Sequence, residues 1–226
     1  MNDKAARDVV LFGAGDFAEV AAVYLTEDSP HRVAAFTVHG ELIREPSLGG
    51  IDVVPYETLL DSHPPDRYAM FVAIGYRKVN QARARVYREC KEQGYELITY
   101  VSSRVSHQGN FRIGENCFVF ENNVIQPFVE IGDNVILWSG NHVGHHARIG
   151  DHCFVASHAV ISGRVTVGPY CFLGVNAAVG DGVQIGPSCV IGAGALILRD
   201  TGEGEVYAAG RTEASPIPSH ELRSFQ

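Results

Sequence analysis

Basic residues are in short supply. The 226 residues carry 18 Lys and Arg against 26 Asp and Glu, a formal net charge of −8. A nucleic-acid binder shows a basic face, so that class is set aside. Long apolar runs are missing as well. No stretch approaches the roughly eighteen residues of a membrane-crossing helix, and no membrane span is expected. Cysteine occurs five times, never as C-x-x-C, which leaves little room for a zinc knuckle or a disulfide framework. The opening Met1-Asn2-Asp3-Lys4 runs directly towards a strand pattern and lacks a signal-peptide layout. The expected compartment is therefore the cytoplasm. Apolar residues make up 46% and charged residues 19%, an ordinary globular balance. The length suits one large or two modest domains.

What is abundant is a period of six. From Asn110 to Arg199 every sixth residue is aliphatic, from Ile113, Val119 and Ile125 through to Ile185, Ile191 and Ile197, fifteen hexads without an insertion. Glycine follows the aliphatic residue in nine of them. Six matches neither a helix at 3.6 nor a half-buried strand at 2. It matches short strands joined by tight turns and wound into a solenoid, with each glycine expected to ease its turn. Three hexads make one triangular coil, so residues eighteen apart stack. Cys117, Val135, Cys153, Cys171 and Cys189 form one such column, read as buried small hydrophobes. Asn123 and Asn141 form another, continued by Ala159, Ala177 and Ala195. Five coils at about 4.8 Å each give a prism about 24 Å long. Phe120 and Trp138, also eighteen apart, are expected on an outward face and suggest a subunit contact.

The first hundred residues follow another rule. Val9 to Phe12 reads as a buried strand, Gly13-Ala14-Gly15-Asp16-Phe17-Ala18 as a tight loop, and Phe17, Val20, Ala21, Tyr24 and Leu25 as one helix face. Strand, glycine loop and helix open a nucleotide-binding α/β unit, and the N–H groups at such a helix start can hold phosphate. The second strand ends at His39 rather than at an acid, which argues against NAD. Strands are expected at 50–54, 69–74 and 97–101, and a helix over 78–93 stopped by Gly94. The expected division is a Rossmann-like domain over 1–104, a solenoid over 105–210 and a tail over 211–226. The tail either covers the open solenoid edge or stays disordered.

The hexads resemble those of the left-handed parallel β-helix acyltransferases; the left hand comes from that resemblance alone, since ordinary parallel crossovers are right-handed. With both halves in view, the chain is similar to the sugar acyltransferases of the NeuD/PglD type. The segments that carry the likeness are FGAGDFAEV, AIGYRKVNQARARVYRECKEQGYELITYVS and GNHVGHHARIGDHCFVASHAVISGRVTVG. The resemblance implies an acetyl-CoA-dependent acetyltransferase that works as a homotrimer, with the coenzyme in the groove between solenoids. It implies that a nucleotide-linked sugar is held by the N-terminal domain. His145 becomes the general base, with His146 beside it. Gly13, Gly15, Asp16, Gly75 and Tyr76 become substrate-binding residues, and Phe154, Gly163, Gly174 and Ala193 CoA-binding ones. The chain departs from the family pattern at His146, where a glutamate is common, and at Phe154, where a second histidine is common. A third departure is the Ala209–Ala214 ending, which replaces G-x-P-A-K.

Five histidines, at 142, 145, 146, 152 and 158, lie within seventeen residues. His146, His152 and His158 open successive hexads, so they belong to three different corners of one chain. Three readings compete. His145 takes a proton from an amine or hydroxyl that attacks the thioester. Alternatively, histidines of two chains hold zinc, as in the γ-class carbonic anhydrases, although the spacing of two histidines five apart is absent. In the third reading the histidines only cap turns of a scaffold. On the acetyltransferase reading, N-acetylation of an amino sugar and O-acetylation of a nonulosonic sugar both stay open, and no metal is expected.

Overall fold

The computed structural model describes residues 6–210 and 212–221. An α/β unit comes first. Its strands are β1 (Asp8–Phe12), β2 (Arg32–Val38), β3 (Ser47–Leu48), β4 (Ile51–Pro55) and β5 (Tyr68–Val72), in the order β3-β4-β2-β1-β5. All pairs are parallel except β3 with β4. β1 and β5 are buried almost throughout, as central parallel strands should be. Helix α1 (Asp16–Glu27) buries Ala18, Ala21, Ala22 and Leu25. A short helix, α2 (Leu59–Ser62), leads towards β5, and α3 (Gln81–Glu92) follows it.

Helix α3 starts three residues later than its pattern suggests. Lys78, Val79 and Asn80 take left-handed φ of 54°, 49° and 64°. Three such residues in a row, one β-branched, are costly, and the loop is held by what it touches. Gly94, at φ 88°, closes the far end. The strand expected over 97–101 is divided between the two halves. Leu97 bridges to Met70 of the α/β sheet, whereas Tyr100–Val101 pairs with Phe118–Val119.

From Tyr100 on, the chain winds as a left-handed parallel β-helix with three flat faces. The domain face has seven two-residue strands, from Tyr100–Val101 through Phe118–Val119, Ile136–Leu137, Phe154–Val155, Phe172–Leu173 and Val190–Ile191 to Val206–Tyr207. The apolar face has six, from Ser106–His107 to Leu196–Ile197, and the charged face five, from Arg112–Ile113 to Gln184–Ile185. Partners within the hexads are eighteen apart, as in His142 with Val160. The prism therefore begins before Asn110 and gains a last strand after Arg199. The aliphatic column and the five-residue cysteine column fill its centre, and all five cysteines of the chain are free and buried. Asn123 Oδ1 accepts from the N–H of Asn141, and Asn141 Oδ1 from that of Ala159, at 3.2 and 2.8 Å.

Two expectations are corrected. The glycines after the aliphatic residues do not serve the turn. The left-handed corner residues are Asn116, Asn122, Phe128, Asn134 and so on at every sixth position to Gly194, most of them not glycine. The glycines serve close stacking instead. A Cβ on Gly150 would lie 2.7 Å from the backbone nitrogen of Pro169 in the next coil, and one on Gly174 2.5 Å from that of Ala193. Phe120 and Trp138 do not face a partner either. The ring of Phe17 on α1 lies over both, with centroids 6.3 and 5.6 Å away, and Phe120 is 1% exposed. They belong to an aromatic layer, with Tyr24, Phe71 and Phe118, that joins α1 and β5 to the domain face. Residues 212–221 are exposed, and their short 3₁₀ turn at Ser219–Glu221 buries nothing. Among the described residues, no helix is long and apolar enough to cross a membrane.

Candidate active site

The chain order 4-2-1-5 in the first sheet reverses between β1 and β5. Ligands of open α/β sheets sit outside the carboxyl ends of strands at such a point. Two loops meet there. The N–H of Gly13 donates to Thr37 at 2.8 Å, and a Cβ on Gly13 would come within 2.6 Å of the Ala73 carbonyl. At φ 142° this residue is glycine because the loops touch. Gly15 is different. It is the extended N-cap of α1 and offers no side-chain cap, and a Cβ added to it would meet nothing within 4 Å. The first N–H groups of α1 are left for an anion, with Asp16 exposed beside them. In the facing loop, Tyr76 leans on Phe154 and Phe172, with centroids 5.0 and 4.7 Å away. The carbonyl of Gly75 accepts from Arg83 at 3.2 Å.

Arg83 fixes this loop. It is fully buried. Its guanidinium donates to the carbonyls of Gly75, Asn134, His152 and Cys153 and to Asn80 Oδ1, at 2.9 to 3.2 Å. Burial pushes its pKa down to about 10, so it remains charged near neutrality. Asn80 Nδ2 donates onward to the carbonyls of Tyr170 and Cys171. The left-handed turn is thus clamped to the prism from both sides.

The histidines separate by corner. His145 and His146 lie where the apolar face turns into the charged face, His152 where the charged face turns into the domain face, and His158 at the remaining corner. Both His145 and His146 are exposed. The N–H of His145 donates to Gln126 Oε1 at 2.8 Å, its carbonyl accepts from Arg164, and its Nδ1 is 3.1 Å from Nδ1 of His146. His146, at φ 58°, rests against Phe128 with centroids 4.7 Å apart. His152 has a structural place. It is 9% exposed, bonded to Asn134 and packed between Tyr87 and Tyr170, and burial lowers its pKa. Among the described residues, no group of three or more His, Cys, Asp or Glu is placed to hold a metal.

Of the residues expected to meet CoA, Gly163 lies one coil above His145, and a Cβ there would be 2.8 Å from the His145 ring. Gly174 and Ala193 stack on each other at the other edge of the apolar face. Phe154 joins neither group. It is 6% exposed beneath Tyr76, on the face opposite the His145 corner. Sequence reasoning missed Gln126, Phe128 and Arg83. The first two stand one coil below the histidine pair, nineteen and eighteen residues back, so the stacking rule held the signal.

A family model for the bacterial transferase hexapeptide (six repeats) matches residues 112–141 and 164–199. The perosamine N-acetyltransferase of Caulobacter crescentus, solved with CoA and GDP-perosamine, is 30% identical. The match covers 88% of this chain and 92% of that one, with a TM-score of 0.80 for a substituted form. The chain belongs to the left-handed β-helix sugar acyltransferases of the NeuD/PglD type. It is an acyltransferase. The acetyltransferase domain of PglB from Neisseria gonorrhoeae, with acetyl coenzyme A, shares the fold at 22% identity over 91% of this chain and 97% of that one, TM-score 0.80. WeeI from Acinetobacter baumannii does so at 20%, over 90% and 97%, TM-score 0.77. No curated protein sequence matches the chain.

Proposed function

We propose that this enzyme moves an acetyl group from acetyl-CoA to the amine of a nucleotide-linked amino sugar, in the cytoplasm, with His145 as general base. The observation that carries the reading is the 30% likeness, across both halves of the chain, to an enzyme solved with CoA and GDP-perosamine. The residues present suit the coenzyme. CoA is a good leaving group, so no serine or cysteine nucleophile is needed, and the cysteines here are buried.

His145 acts in the tautomer whose Nδ1–H donates to Nδ1 of His146. That leaves the Nε2 lone pair free, with Nε2 2.8 Å from where a Cβ on Gly163 would sit. His146 then fills the orienting role of the glutamate common in the family. Nε2 takes a proton from the ammonium, and the freed nitrogen attacks the thioester carbonyl. A C–N bond forms and the C–S bond breaks. The attacking nitrogen gives up a second proton to solvent, and the CoA thiolate leaves and recovers the first from the imidazolium.

The N-terminal domain, residues 1–104, holds the nucleotide sugar between the Gly13–Asp16 and Gly75–Tyr76 loops, its diphosphate at the start of α1. The prism carries the acetyl transfer, and copies of it form a homotrimer. The faces support that assembly. The α/β unit covers one, and a second shows Arg112, Glu130 and Arg148, with Arg148 3.4 Å from Glu130. The third shows Val124, Val160 and Leu196, exposed by 39, 42 and 64%. Gly163 and Gly174 sit at the two edges of that third face, so only a second copy unites the two halves of a CoA groove.

A panel of UDP-, dTDP- and GDP-linked amino sugars, supplied with acetyl-CoA, tests the reading. Thiol release with a mass gain of one acetyl group on nitrogen is expected for one member. Acetyl found on a hydroxyl instead, or CoA binding without turnover on any member, would reject it.

A further inference from the structure

The His145 column continues upwards through Gly163 to Asp181, eighteen residues per step. The point where a Gly163 Cβ would sit is 2.8 Å from Nε2 of His145 and also 2.8 Å from Oδ1 of Asp181. Two atoms that share one such point share a ring of them around the line between them. Gly163 occupies one side of that ring. The rest of that ring lies away from Gly163, and His145 and Asp181 are both exposed. An atom there lies within hydrogen-bond distance of both groups.

We infer that Asp181 binds the acceptor ammonium of the sugar beside Nε2 of His145, and so selects an amine over a hydroxyl; this rests on the base role proposed above. An ammonium offers three N–H bonds. One points to Nε2 and is lost first, a second points to Oδ1 and stays in the amide, and the third is lost to solvent as the C–N bond forms. Asp181 neither gives nor takes a proton in the step, and no further co-reactant is required. A hydroxyl has one O–H and no charge, so it cannot serve both acceptors, and it lacks the charge-assisted bond that gives such pairs their strength. The amide product is neutral and loses the ion pair with Asp181, which favours its release. Gly163 is glycine because any side chain would fill the space between the two groups.

The test pairs each amino sugar of the panel with the analogue carrying hydroxyl for amine. Asp181→Asn keeps the shape and removes the charge. Its KM for the amino sugar is expected to rise about 10- to 100-fold, with KM for acetyl-CoA and Tm unchanged, and the amine-over-hydroxyl preference falls by a similar factor. Asp181→Glu should restore part of that preference. His145→Ala should instead lower kcat, which separates the two roles. Wild-type KM and preference in Asp181→Asn would overturn the inference and leave the base role standing. A wild-type enzyme that acetylates no amino sugar, or a fully active His145→Ala, would remove the base role and the inference with it.

Discussion

Nη2 of Arg83, on helix α3, donates to the carbonyl of Cys153 in the prism at 3.0 Å. One side chain therefore joins the two halves of the molecule and also holds the substrate-facing loop through Gly75. Replacing it leaves several buried carbonyls without donors. Arg83→Met should cost about 3 kcal/mol or more, a fall in Tm of several degrees for a chain of this size. Calorimetry gives the value, and Arg83→Lys should recover only part, since a point charge cannot reproduce the fork.

His145→Ala should lower kcat by about 10²- to 10⁴-fold and leave KM for both substrates nearly unchanged, the mark of a group that acts in the transition state. His146→Ala should cost less. Steady-state kinetics decide it. A silent His145→Ala beside a dead His146→Ala would transfer the base to the second ring.

The two glycines of the first loop should behave differently. Gly13→Ala forces a Cβ against the Ala73 carbonyl at a left-handed φ, so a loss of stability is expected with every ligand affected. The Cβ of Gly15→Val meets open space. It should keep Tm within a few degrees and weaken nucleotide-sugar binding while sparing CoA. Titration calorimetry with both ligands distinguishes the cases.

Asn116, Asn134 and His152 stand one above another at left-handed corners, and Asn134 bonds to both neighbours. Burial lowers the His152 pKa, so below the usual imidazole value of about 6.5 the unfolded chain binds the extra proton. That contribution to stability is complete above about pH 6.5 and is lost as the pH falls below it. His152→Asn continues the ladder with a residue that accepts positive φ. Its Tm should fall less between about pH 6.5 and 5 than that of the wild type.

Leu196→Asp and Val160→Asp place charge on the uncovered apolar face. Light scattering should show trimer in the wild type and monomer in the double variant. A wild-type monomer at micromolar concentration would remove the shared groove.

The prism was legible because one period governs it. A count in sixes locates every strand from Ile113 to Ile197, and a count in eighteens aligns the cysteines. The chemistry was less legible. His145 stood out by residue type and family likeness, whereas Asp181 is separated from it by two complete coils. Phe120 and Trp138 were misread because nothing in a hexad says which face another part of the chain will cover. The start of α3 was misplaced because Lys78 and Val79 look helical. The grip of Arg83 and Asn80 on the prism, which no local pattern announces, helps to hold them in the opposite hand.

The stacking rule also sets how such a gene can change length. A single inserted residue would turn every later aliphatic side chain out of the centre and carry the next glycine away from its close approach. An insertion of eighteen restores both. Duplication of one whole coil above Asp181 would lengthen the prism and leave the His145 column untouched, so growth of this protein comes in quanta of eighteen codons.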